Sequence, residues 1–159
     1  MSVPVDIRVE TRDFDPGAEL AAARRRLGGA AGAVATFIGL VRDRAAPGQP
    51  VATLHLEHYP GMTENSIRAI VDRALSRWPL LDVVVVHRVG DLAPSEQIVF
   101  VQVASAHRAA AFAACEFLMD FLKTDAVFWK REDSPDGRRW IESTGDDCRR
   151  AEAWGDGNA

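Results

Sequence analysis

The segments DVVVVHRVG (82 to 90) and EQIVFVQVAS (96 to 105) are nearly unbroken apolar runs, separated by the turn-like DLAPS. A strand with one wet face alternates apolar and polar residues, whereas a continuous run suits a strand covered on both faces. The pair therefore predicts central sheet strands with helices packed against them in layers. At 159 residues, 47% of them apolar, the chain can bury such a core within one domain.

The flanking segments fit that frame. VPVDIRVE (3 to 10) alternates as a half-buried strand, and Asp15 with Pro16 supplies the cap and first residue of a helix running to about Leu27 and stopping at Gly28-Gly29. GAVATFIGLVR (32 to 42) reads as a strand, DRAAPGQP (43 to 50) as a mobile loop and VATLHLEHY (51 to 59) as a second strand. Ile67, Ile70, Val71, Ala74, Leu75 and Trp78 recur at helical spacing, and Pro79 closes that helix. A third helix is expected from a Ser105 cap to about Lys123, with Phe112, Cys115, Met119 and Leu122 on its apolar stripe. AVFWKRE (126 to 132), DSPDG and RRWIES (138 to 143) form a hairpin pattern. The expected fold class is α/β (α+β): one domain over residues 1–146, with residues 147–159 as a partly disordered tail that starts as a short helix.

Composition narrows the function. A formal charge of −4 gives no broad basic footprint for nucleic acid, so any anion site must be local. The two cysteines, Cys115 and Cys148, lack redox or zinc spacing and suit a reducing compartment. The first residues have no signal-peptide pattern and no apolar run is long enough for a bilayer, so a soluble cytoplasmic protein with no membrane partner is expected. HExxH, GxSxG, the P-loop and the dinucleotide fingerprint are all absent, and His55 and His58 alone make a poor zinc site.

Four places offer local chemistry. His107 and Arg108 open a helix, where free N–H groups and the dipole attract anions; the competing reading is a solvated arginine and a half-buried histidine. Lys123 near that helix's C-terminus either serves a site or complements the dipole. On a strand, Phe128, Lys130 and Glu132 share one face, and Val127, Trp129 and Arg131 the other. That pattern fits a charged edge strand, or a pocket in which Lys130 loses solvation against Phe128 and its pKa falls. Arg42, between an apolar strand and a Gly/Pro loop, is a further anion contact that is weak alone.

In order along the chain, FIGLVR (37 to 42), LEHYPGMTE (56 to 64), RWPL (77 to 80), VHRVGDL (86 to 92), SAHRAAAF (105 to 112), FLMDFLKT (117 to 124) and FWKRE (128 to 132) resemble the catalytic (large) subunit family of molybdopterin synthase. The resemblance implies an α/β hammerhead-type fold with a mixed, largely antiparallel sheet and flanking helices. It also implies a homodimer within a heterotetramer, with a ubiquitin-like small subunit at each end whose C-terminal Gly-Gly tail carries a thiocarboxylate. That tail would transfer sulfur to cyclic pyranopterin monophosphate to make the molybdopterin dithiolene, with neither metal nor cofactor needed at this step. Carried over to this sequence, the catalytic residues are Lys123 and Lys130. The substrate-binding residues are Leu40, Val41, Arg42, His107, Arg108 and Arg131, with Phe37 and Met119 as an apolar wall; core packing is the competing reading for those last two. Leu40 stands where some relatives carry lysine, and Thr144 where some supply an arginine from the neighbouring subunit; Arg138 or Arg139 would be the substitutes. The alternative function is a non-catalytic binding module for a ubiquitin-like partner or a phosphorylated ligand. A metal hydrolase built on the four histidines is a more distant reading, because their spacings match no common site.

Overall fold

The two apolar runs lie side by side, antiparallel, as the middle strands of one sheet in the computed structural model, which describes residues 2–46, 49–50 and 52–155. The elements run β1 (Val5–Glu10), α1 (Pro16–Leu27), β2 (Ala33–Leu40), β3 (Arg44–Ala46), β4 (Gln49–Pro50), β5 (Thr53–His58), α2 (Met62–Arg77), β6 (Leu80–Arg88), β7 (Gly90–Leu92), β8 (Gln97–Ser105), α3 (Arg108–Leu122), β9 (Phe128–Ser134), β10 (Gly137–Ile141) and α4 (Gly145–Glu152). The first sheet has the order β1-β6-β8-β2, with only the β1/β6 pair parallel. β10-β9-β5-β7 form a second, antiparallel sheet, and β3 pairs with β4 where a loop is expected.

Alternate residues of β6 account for its unbroken apolar sequence. Val83 and Val85 face a core built with Ile67, Ile70 and Val71 of α2 and Ala114, Phe117 and Leu118 of α3. Val84 and Val86 face the other way, against Phe100 and Phe14. On that second side Arg26 of α1 forks onto Asp82 with two 2.9 Å bonds, so the one carboxylate buried at the start of β6 is paired. A third small core, Val41, Leu56, Val89 and Leu92, joins the two sheets.

Two local expectations change. Ser105 ends β8 and donates to the Pro79 carbonyl at 2.8 Å, and His107 stands at the cap position of α3 without a side-chain cap bond. Phe112 lies on the exposed side of α3, where the buried stripe instead takes Ala111, Ala114, Leu118 and Met119. The chain beyond residue 144 begins with α4, a helix capped by Thr144 and packed on the domain through Ala151. Arg150 and the Trp154 indole both donate to Asp120, and Trp154 meets Trp78 and Phe117 edge to face. The chain past Gly155 lies outside the described residues. Among the described residues, no helix is long and apolar enough to cross a membrane.

Candidate active site

A cavity of about 670 Å³ opens where the end of β2, the C-terminus of α3, β9 and the start of α4 meet. Backbone geometry sets its first wall. The β2/β8 register slips between Gly39 and Leu40, and a side chain at Gly39 would come within 2.6 Å of Val99 Cγ1. Glycine thus lets the strand hug β8 before it turns out, so a residue with a Cβ at 39 would push the wall away. Val41 is then buried and bonded through its N–H to the Glu96 carbonyl at 2.9 Å, while Leu40 and Arg42 are exposed along the cavity. Phe37, 40% exposed, and Met119, at the edge of the core, add apolar lining. Met119 serves both readings, since its side chain belongs to the main core and also borders the space.

Lys123 and Lys130 reach the cavity from different elements. Lys123 is the C-cap of α3; its N–H bonds the Met119 carbonyl at 3.2 Å and its own carbonyl accepts from Ser143 Oγ at 2.6 Å. The backbone does what a helix end requires, and the side chain is left to face the space. Lys130 sits in mid-β9, opposite Leu56 on one side and Ile141 on the other. Burial lowers its pKa to about 8, the charge of nearby Lys123 pushes the same way, and Asp147 opposes both. The amine is therefore poised to exchange a proton near neutral pH.

His87 forms the floor beside these lysines. Its ring stacks on Phe128, with centroids 4.0 Å apart and planes 24° apart, and Nδ1 donates to the Arg88 carbonyl at 2.8 Å. Burial drives its pKa down to about 3, with Lys130, Lys123 and His58 adding to the effect, so the imidazole is neutral throughout the physiological range.

Of the expected site residues, Phe37, Leu40, Val41, Arg42, Met119, Lys123 and Lys130 line this one cavity. Arg131 does not. It is on the opposite face of β9, bonded to both oxygens of Asp133 at 2.8 and 3.1 Å and lying over Trp140, as strand alternation demands. Nor do His107 and Arg108, which open α3 at the end remote from Lys123. Fifteen helical residues separate the two ends by roughly 22 Å. Trp129, half exposed and in contact with Tyr59, also borders the cavity. Arg139 pairs with Glu132 at 3.1 Å, and Arg138 approaches Asp133 at 3.9 Å.

Among the cavity residues left without a site role by sequence reasoning are His87, Thr144 and Asp147. His87 was hidden in an apolar run. The other two form the capping box of α4, with the Asp147 N–H bonding Thr144 Oγ1 at 3.1 Å and the Thr144 N–H bonding Asp147 Oδ2 at 3.2 Å. The T-x-x-D spacing was a readable signal for that helix start.

Known proteins share both the sequence and the fold of this chain. The family described as "MoaE protein" matches residues 9–125. The molybdopterin synthase catalytic subunit of Ralstonia nicotianae is 54% identical over 149 residues, covering 94% of this chain and 84% of that protein. A solved structure titled as the molybdopterin biosynthesis MoaE protein from Burkholderia ambifaria superposes with a TM-score of 0.80 at 50% identity, over 96% of this chain and 99% of that one. Molybdopterin synthase from Staphylococcus aureus does so with a TM-score of 0.75 at 29% identity, over 84% and 94%. With the same fold, half of its residues shared with such relatives and a family match over most of its length, this chain belongs to the MoaE family.

Proposed function

We propose that this protein is the catalytic subunit of a molybdopterin synthase, a sulfurtransferase. It would move sulfur from the C-terminal thiocarboxylate of a ubiquitin-like small subunit to cyclic pyranopterin monophosphate. Relatives sharing half of its residues bear the name catalytic subunit, which itself requires at least one other chain. The observation that carries the reading is the pair Lys123 and Lys130 converging on one cavity, with Lys130 desolvated there. A docking surface alone has no use for a half-buried amine with a lowered pKa, because desolvating it costs stability.

The residues divide the work by their chemistry. Arg42 and Lys123, both exposed at the cavity, supply positive charge for an anionic phosphate or thiocarboxylate. Lys130 exchanges a proton with the reacting groups or stabilises charge developing on them. Phe37 and Met119 give the heterocycle or the diglycine tail an apolar wall. His107 and Arg108 join this chemistry only through a second copy of the chain, because α3 holds them roughly 22 Å from Lys123. The two free thiols fit a reaction in the cytoplasm.

The test is reconstitution with a thiocarboxylated small subunit and the pterin precursor, followed by dithiolene product. The expected result is product from the wild-type chain and a loss of about a hundredfold or more in turnover for Lys123→Ala and for Lys130→Ala. Normal complex formation without sulfur transfer would make the protein a binding module instead.

A further inference from the structure

Every cavity residue given a role above is a donor, a cation or an apolar wall. A substrate with ring N–H groups also needs an acceptor, since an N–H buried without one loses the bonds it made to water. His87 is built to be that acceptor. The Arg88 carbonyl can only accept, so the 2.8 Å bond to it fixes the proton on Nδ1. Nε2 is left with its lone pair as the ring's second polar atom, on a residue that borders the cavity. The 4.0 Å stack on Phe128 of β9 holds the ring plane. Of the charged or titratable groups near it, Lys130 from β9, Lys123 from the end of α3 and His58 from β5 act most strongly and all disfavour a second proton.

We propose that His87 is a substrate-orienting residue, a fixed neutral imidazole whose Nε2 accepts a hydrogen bond from a ring N–H of the heterocyclic substrate. The inference rests on the sulfurtransferase reading and extends it from the anionic ends of the reactants to the heterocycle itself. Donors fix phosphate and thiocarboxylate. Among the cavity's acceptors, which include the carboxylates of Glu132, Glu142 and Asp147, His87 is the ring held in one plane and one tautomer, and it selects the tautomer and orientation of the heterocycle. His87 moves no proton in this scheme.

Two variants separate this role from mere support. In His87→Asn the amide nitrogen mimics Nδ1 and keeps the bond to the Arg88 carbonyl, but nothing stands at Nε2. His87→Gln can place its carbonyl oxygen near the Nε2 position and gives up the Arg88 bond. In the reconstituted complex, His87→Asn is expected to lower kcat/KM for the pterin precursor roughly tenfold, through KM, with KM for the thiocarboxylated small subunit unchanged. His87→Gln is expected to recover most of that loss. Independently of how the variants fold, adding precursor to the ¹⁵N-histidine wild-type complex should shift the His87 Nε2 resonance towards hydrogen-bonded values and leave Nδ1 in place. A His87→Gln variant worse than His87→Asn, an equal loss towards the small subunit, or an unmoved Nε2 resonance would overturn the proposal. A wild-type complex that makes no product would instead overturn the sulfurtransferase reading, and this inference with it.

Discussion

The two four-stranded sheets divide the molecule's labour. β1-β6-β8-β2 is covered by α2 and α3 on one face and by Phe14 and α1 on the other, and its middle strands are almost wholly apolar. β10-β9-β5-β7 is half-buried and charged on both faces, and it is joined to the first sheet through one small core. Neighbours on β9 show what the second arrangement makes possible. Arg131 faces outward and is neutralised by Asp133, whereas Lys130 faces the cavity, meets another lysine and loses part of its proton affinity. Burial of apolar surface fixes the first sheet, and that rigidity lets the second hold a strained charge where chemistry needs it.

The largest blow to this division falls on the first sheet. Phe100 is fully buried in β8, and its ring lies 5.5 Å from Phe14 on the side away from the cavity. Phe100→Ala should cost about 3–5 kcal/mol of stability, measured by urea denaturation, while the protein that remains folded keeps its turnover within about twofold. A collapse in turnover without a loss of stability would show that the sheets are not separate in function.

Lys130 gives the converse test. A folded pKa of about 8 against an ordinary 10.5 means that, between those values, the unfolded chain binds the proton that the folded chain has released. Stability from this group therefore rises with pH through that window, and below it the desolvated charge is a burden. Lys130→Met should abolish the rise relative to wild type while removing activity, so the difference between the two denaturation midpoints should narrow from pH 7 to pH 10. Parallel curves would mean that the amine is not desolvated in the folded protein.

What could be read from the sequence follows the same division. The doubly covered strands, α1 from Asp15-Pro16 to Gly28, and the β9/β10 hairpin were legible, because apolar period, caps and turn residues are local signals. Lys130 on the face with Phe128 followed from strand alternation. Arg131 was placed in the site by resemblance, although the same alternation already sent it to the other face. His107 and Arg108 were placed in one site with Lys123 by resemblance, yet a helix is a rod that holds its ends apart. His87 was invisible for a different reason: in a run of valines its neighbours say that it is buried, and only tertiary structure shows that a cavity reaches it.

The smallest expected effect separates the two faces of β9 most finely. Asp147 comes from α4, beyond the second sheet, and its charge holds the Lys130 proton against burial and the push of Lys123. Asp147→Asn removes that charge and keeps an oxygen to accept from the Thr144 N–H, so the start of α4 stays capped. Without the carboxylate, the pKa of Lys130 falls further, and the limb of the pH–rate profile that it governs should move to more acid pH by about half a unit, as one partly solvated charge allows. Arg131→Ala, on the outward face and paired with Asp133, should leave the limb where it is. Profiles of kcat/KM for the two variants decide the matter. Equal shifts would mean that β9 does not insulate its faces, and a limb moved to alkaline pH by Asp147→Asn would mean that Asp147 does not act on Lys130.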